Sequence, residues 1–276
     1  MILGAAPVSE FLVWLSWLER MDGIEPTTQS LFILGAILFA VVAGFVSYYE
    51  YRGIGSQDGI LRRGLATDER VVSLTFDDGP SPVYTAQILD VLARHGVKAT
   101  FFVTGRHVEK YPEIARRIVA EGHDIGNHSY SHCNMVLLND QQLQNEIKRA
   151  EQAIVQSAGV KPTLFRPPRG LYSNRVRRAI LDQGYQIVLW SVSTMDWSPF
   201  GAGIIAARVK VFTRNGSVIL FHDSGSIIRR EGGSRRSTVE SLPKIVNYLK
   251  SQGYEIVPVS ELLLRAKEKS CFNQAS

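Results

Sequence analysis

The sequence predicts an α/β fold built on parallel strands, and three observations carry that expectation. From residue 71 onward, short apolar segments of strand character alternate with longer segments of helical periodicity. Gly and Pro break the pattern sharply, first at Gly79-Pro80. Polar residues of catalytic type fall just after successive strand segments, where parallel α/β folds collect their chemistry. Periodicity alone leaves open a (β/α) barrel or a doubly wound sheet.

The strand segments in order are VVSLTF (71–76), ATFFV (99–103), HDI (123–125), TLF (163–165), IVLW (187–190), VILF (218–221) and EIV (255–257). Helical periodicity runs through 85–95, 113–121, 141–157, 176–183, 204–213 and 238–252. Upstream, residues 31–49 carry no charge over 19 positions, long enough to span a bilayer as a helix. Tyr48, Tyr49 and Tyr51 suit the membrane interface at its end. A buried core helix is the competing reading. The segment starts too far in for a cleavable signal peptide and lacks a basic leader. Residues 11–18, rich in aromatics, suit an interfacial segment or half of a helical hairpin. The expected organisation is an N-terminal segment (1–30), a transmembrane helix (31–49), a linker (50–70) and a catalytic domain (71–276).

Composition narrows the partners. At 45% apolar residues the chain is globular rather than disordered. A net charge of +5 and a pI of 9.2 fit a solvated basic surface or anionic neighbours. Nothing resembles a nucleic-acid module. Two cysteines, Cys133 and Cys271, do not make a disulfide framework. Arg20 precedes the apolar span, whereas Arg52, Arg62 and Arg63 follow it, which leans toward a cytoplasmic C-terminal side. Large domains translocate against such a small bias, and an extracytoplasmic domain on a single-pass anchor is the expectation retained here.

Asp77 and Asp78 end the first strand side by side. Two adjacent acids repel, so the fold must supply a cation or an arginine beside them. His128 and His132 lie four apart, a spacing that brings two imidazoles to one side of a turn. Alone the pair is more often innocuous than ligating. With a carboxylate from another strand it suits a metal with open positions. Arg166, made rigid by Pro167-Pro168, is a surface ion pair by itself but a tether beside buried acids. Asp196-Trp197 and His222 follow the fifth and sixth strands. Residues 226–236 hold Arg229, Arg230, Arg235 and Arg236, either a solvated loop or a guide for an anionic ligand.

Together TFDDGP (75–80), HSYSH (128–132), RPPRG (166–170), STMDW (193–197) and LFH (220–222) resemble the polysaccharide deacetylase family, the NodB-homology or carbohydrate esterase family 4 domain. The resemblance covers about 71–264. It implies a distorted (β/α) barrel of about seven parallel strands and a metal-dependent hydrolase of N-acetylated sugars. In that family pattern Asp77 is the general base, and Asp78, His128 and His132 hold one divalent metal, zinc first, cobalt or another transition metal next. Arg166 tethers Asp77. His222 is the general acid, tuned by Asp196. Trp197 and Leu220 shape the groove and the acetyl pocket, and the backbone N–H of Arg169 joins the oxyanion site. Two positions depart from the pattern. Arg169 stands where an aromatic is common and makes the groove wall cationic, which suits an acidic sugar such as a lactyl-bearing muramic residue. Ser193 stands where an aspartate is usual. The expected substrate is an N-acetylhexosamine polymer of the cell envelope, peptidoglycan or a related glycan. A lipid-linked N-acetyl amino sugar is the alternative substrate, and a non-catalytic glycan-binding protein is the alternative of another class.

Overall fold

The structure, a computed structural model, describes residues 56–64, 69–225 and 233–274, with ten positions between 27 and 41. The chain divides into two compact units, Met1–Arg52 and Gly53–Ser276. The second unit carries a parallel sheet of nine strands: β1 (Ile60–Leu61), β2 (Val71–Asp77), β3 (Thr100–Val103), β4 (Asp124–Asn127), β5 (Leu164–Phe165), β6 (Gln186–Val188), β7 (Val192–Ser193), β8 (Val218–His222) and β9 (Glu255–Ile256). Helices α1 (Tyr84–Arg94), α2 (Gly105–Lys110), α3 (Pro112–Ala120), α4 (Asp140–Ala158), α5 (Asn174–Leu181), α6 (Ala202–Phe212), α7 (Arg236–Ser251) and α8 (Val259–Gln274) complete it.

The strand order is β1-β6-β5-β4-β3-β2-β8-β7, with β9 added on β2. β6 and β7 lie near opposite ends of that path, yet only residues 189–191 separate them along the chain. Three residues reach no more than about 13 Å between flanking strands, so the sheet must curl back on itself. Leu189 N–H bonds the Leu61 carbonyl of β1 and Ser191 N–H bonds the Val218 carbonyl of β8, near opposite ends of the path. That closure makes the distorted barrel.

Strand alternation sorts β2 into two faces. Val72, Leu74 and Phe76 face outward into a core shared with α1, α3 and α7, where Ile88, Ile118 and Leu242 are fully buried. The Phe76 ring stacks between Phe101 and Phe221, with centroids 5.0 and 5.4 Å away. Thr75 and Asp77 face the barrel interior. There Phe102, Phe165, Ile187, Trp190 and Leu220 form a second core. Burying both faces explains why the strands read as continuous apolar runs.

Two strands correct the expected count of about seven. β7 is a two-residue piece after the fifth predicted strand, and β1 extends the sheet into the stretch expected to be a linker. Neither is long enough to show a period. α2 and α8 were likewise not expected. Most of the expected span 31–49 lies outside the described residues; among the described residues no helix is long and apolar enough to cross a membrane.

Candidate active site

The carboxyl ends of β2, β4, β5, β7 and β8 open on one mouth of the barrel, and the side chains they bear meet there. Asp77 pairs in register with His222 of β8, so these two flank the site on adjacent strands. Arg166 follows β5 and runs into the barrel, completely buried. Its Nη1 donates to Asp77 Oδ1 at 2.6 Å and to Thr75 Oγ1 at 2.9 Å. Its Nε and Nη2 donate to the carbonyls of Val188 and Leu189 at 3.1 and 3.0 Å. The guanidinium lies over the Phe102 ring, 4.1 Å from its centroid. Such a planar, fully bonded cation fixes the Asp77 carboxylate in position.

Asp77 Oδ2 points the other way, 3.8 Å from His128 Nε2. Asp78 Oδ1 lies 3.5 Å from His128 Nε2 and 3.1 Å from His132 Nε2. The three ligand atoms of Asp78, His128 and His132 fall within 4.8 Å of one another. His128 Nδ1–H donates to the Arg166 carbonyl at 2.6 Å, which leaves its Nε2 with a lone pair for a ligand. Arg166 therefore orients both the acid and a histidine. His107 Nδ1–H holds the Asp78 carbonyl from behind at 2.7 Å.

These residues fit a divalent transition metal. Asp78 Oδ1 is buried and accepts no hydrogen bond, although two imidazoles stand beside it. Burial alone would raise its pKa, but the His128, His222 and His132 imidazoles hold the carboxyl well below the usual carboxylate range. Burial lowers His132 to about 4 against the pull of Asp78, so its ring is neutral at neutral pH, as ligation requires. Two imidazole nitrogens and a carboxylate oxygen leave coordination positions open.

His222 makes a second constellation. Its Nδ1–H donates to Asp196 Oδ1 and its backbone N–H to Asp196 Oδ2, both at 2.8 Å. Thr238 of α7 donates its hydroxyl to the same Oδ2 at 2.7 Å. Burial works against a charged imidazole, but the Asp196 carboxylate overrides it and pushes His222 up to about 9. Because the folded value exceeds the ordinary 6.5, the pair's stabilisation is complete below 6.5 and is lost as pH rises through 9.

Other expected residues take varied places. Leu220 sits on the same strand face as His222, almost fully buried. Trp197 is half-buried directly after Asp196. Arg169 is exposed, with its charge near enough to depress the His132 pKa. Arg235 is no glycan guide: it is buried, its Nε donating to the Ser224 carbonyl at 2.9 Å and its Nη1 to the Asp196 carbonyl at 3.4 Å. Arg236 pairs with Glu240 at 2.6 Å, and Arg229 and Arg230 lie outside the described residues.

Asp223 has no role that sequence patterning reveals. It is completely buried and accepts the Thr85 hydroxyl at 2.6 Å. A side chain at Gly79 would stand 2.2 Å from its Oδ2, so only glycine fits there. Burial first, then the charges of Asp78 and Asp77, push its carboxyl up to about 7.

All five non-glycine residues with positive φ among the described residues lie in these loops: Asp78, Ser129, His132, Arg169 and Met195. Strained backbone concentrated at one mouth marks a built site.

Relatives fit this geometry. The sequence pattern of the polysaccharide deacetylase family matches residues 64–188. The chain is 41% identical over 199 residues to a peptidoglycan-N-acetylglucosamine deacetylase of Bacillus cereus, covering 72% of this chain and 70% of that protein. Among solved structures, a peptidoglycan N-acetylglucosamine deacetylase bound to an N-oxidanyl-benzamide superposes with a TM-score of 0.70 at 38% identity, covering 74% of this chain and 92% of that one. A pseudoenzyme of carbohydrate esterase family 4 from Bacillus anthracis also superposes, with a TM-score of 0.67 at 30% identity over 74% of this chain and 68% of that one. Sequence, fold and the motif-bearing loops thus agree that this chain belongs to the polysaccharide deacetylase family.

Proposed function

We propose that the chain hydrolyses the acetamide of N-acetylhexosamine units in a cell-envelope glycan, peptidoglycan first, releasing acetate and a free amino sugar. The observation that carries this reading is the division of labour at the mouth. Asp77 is held by Arg166 on one side of a three-ligand cluster, and the His222–Asp196 pair stands on the neighbouring strand.

Asp78, His128 and His132 would hold a divalent cation, which when bound would supply Lewis acidity toward a water and an amide carbonyl. Asp77, its Oδ1 occupied by Arg166, offers Oδ2 to take the proton of the attacking water. His222, charged at neutral pH beside Asp196, gives its proton to the departing amine. Arg169 presents its backbone N–H to the developing oxyanion, with φ 58 turning that loop residue out of the ordinary region. Leu220 gives the acetyl methyl an apolar wall, and Trp197 gives the sugar an aromatic one. The exposed Arg169 guanidinium favours substrates bearing an acidic substituent.

The similarity to a pseudoenzyme shows that this fold need not imply turnover, so the side chains must decide. Here Asp77, Asp78, both histidines, Arg166 and His222 are all present and brought together at one mouth, which supports turnover over a binding-only role.

The reading also anchors the chain in the cell membrane through 31–49, after an N-terminal segment (1–30) that is interfacial or half of a hairpin, with 50–70 as linker and the catalytic domain extracytoplasmic. Leu31, Leu34, Leu38 and Val41 support it: they are helical, apolar and more than 60% exposed, as a lipid-facing side would be.

The test is acetate release by the purified full chain from peptidoglycan and from N-acetylglucosamine oligomers, with and without a chelator. Activity that survives the chelator would remove the metal from the mechanism, and glycan binding without acetate would favour the binding module. A lipid-linked amino sugar turned over faster than either polymer would favour the alternative substrate. The pH profile adds a second check. Activity should decline as His222 loses its proton, with a basic limb between 6.5 and about 9, since a cation on Asp78 removes that carboxylate's share of the shift. Asp196→Asn should move this limb to lower pH. A limb left in place would take the role of acid away from His222.

A further inference from the structure

The loop 128–132 holds two metal-site histidines in a conformation that the backbone does not favour. Ser129 and His132 have φ of 64° and 56°, each costing about 1–3 kcal/mol for a residue other than glycine. Something outside the site must hold the loop in that shape, and its hydrogen bonds show what. The carbonyls of Ser129 and Tyr130 accept from the backbone of Gly105 and Arg106 at the start of α2, both at 3.0 Å. Ser129 N–H donates to Asn127 Oδ1 at 2.9 Å, and His132 N–H to Ser129 Oγ at 3.1 Å. That leaves the two N–H groups lying between the ligands, those of Tyr130 and Ser131. Both donate to Glu146 Oε2, at 3.1 and 2.9 Å, and the Ser131 hydroxyl donates to Glu146 Oε1 at 2.9 Å.

Glu146 lies within α4, outside all five catalytic motifs. One turn further along the same helix, Arg149 lies over the Tyr130 ring, 3.7 Å from its centroid. The Tyr130 hydroxyl donates to Glu109 at 2.8 Å. The helix thus grips the middle of the loop twice, by its backbone and by its aromatic ring.

We infer that Glu146 is the positioning residue that pre-forms the ligating shape of loop 128–132, and so sets the affinity of the metal site from outside it. The inference rests on reading Asp78, His128 and His132 as that metal site. Reach matters here more than charge. A glutamine at 146 keeps an acceptor for the two N–H groups and turns an amide toward the Ser131 hydroxyl, which can accept from it. An aspartate keeps the charge but draws the oxygens back by about 1.5 Å.

The experiment is zinc titration of the full chain by calorimetry, with the visible spectrum of the cobalt-substituted protein reporting ligand geometry. Glu146→Asp and Glu146→Ala should weaken zinc binding by about 10–100-fold, the usual range for a lost outer partner of metal ligands. Both should alter the cobalt spectrum. Glu146→Gln should stay within a few-fold of wild type. Wild-type affinity and spectrum in Glu146→Asp would overturn the inference, as would a glutamine variant weaker than the aspartate one. If the alanine variant does not fold, the aspartate and glutamine pair decides alone. A wild-type chain that takes up no zinc would overturn the metal reading and this inference together, whereas tight binding in wild type and Glu146→Asp alike would remove only this inference.

Discussion

Asp77→Asn should lower acetate release by about 10²–10⁴-fold, the span general-base catalysis contributes, while the protein still takes up zinc. Asparagine keeps an oxygen for Arg166 Nη1, which Asp77 Oδ1 now accepts at 2.6 Å, but it has no basic oxygen to replace Oδ2. The ligating atoms of Asp78, His128 and His132 are untouched by the change. The measurement is kcat for acetate release beside a zinc titration of the same sample. Retention of more than a tenth of wild-type kcat would remove Asp77 from the role of base. Loss of zinc binding in parallel would show instead that Asp77 belongs to the ligand set.

Arg166→Ala should have the largest effect on stability, about 3–5 kcal/mol, the cost of leaving one member of a buried pair without its partner. For a domain of this size that corresponds to a fall in Tm of roughly 10 °C. Several losses coincide. The Asp77 carboxyl loses its partner in a site 3% exposed, and the carbonyls of Val188 and Leu189 lose their donors. Lysine cannot stand in, since one ammonium does not reach four acceptors in a planar fan. Thermal melts of Arg166→Ala and of Asp77→Asn/Arg166→Ala separate the contributions. The double variant should melt higher than Arg166→Ala alone, because it no longer buries a lone carboxylate. Equal melting points would show that packing over Phe102, not charge pairing, sets the cost.

Much of this site was legible because its residues sit in short motifs at strand ends. Asp77, Asp78, His128, His132, Arg166, Asp196 and His222 all lie in such motifs, and the geometry brings them together. Thr75 was within reach as well, since alternation puts it on the Asp77 side of β2. The supporting residues were not legible for a physical reason. Thr238 and Arg235 reach Asp196 from 42 and 39 positions away, on elements with their own helical logic. Glu146 is one polar residue on an amphipathic helix, alike in pattern to its solvated neighbours. In the fold, the strands with β-branched and aromatic runs were readable, whereas β1 and β7 are too short to carry a period. In α8 the apolar positions 259, 262, 263 and 266 span only about two turns before the polar run 267–270, too short a window to mark the helix.

The five left-handed residues around the mouth also set where this protein can be made sturdier. Asp78 and His132 cannot be exchanged for glycine without deleting a member of the candidate metal site, so on the proposed reading their conformational cost is locked in by chemistry. Ser129 and Met195 carry no such duty through a ligating atom, though Ser129 Oγ accepts from His132 N–H. Met195 is thus the freest of the five, and glycine or asparagine there would relieve the backbone at no cost to the reacting groups. For anyone selecting heat-tolerant variants, beneficial changes should accumulate at that position and be absent from Asp78 and His132, a pattern imposed by geometry before any selection acts.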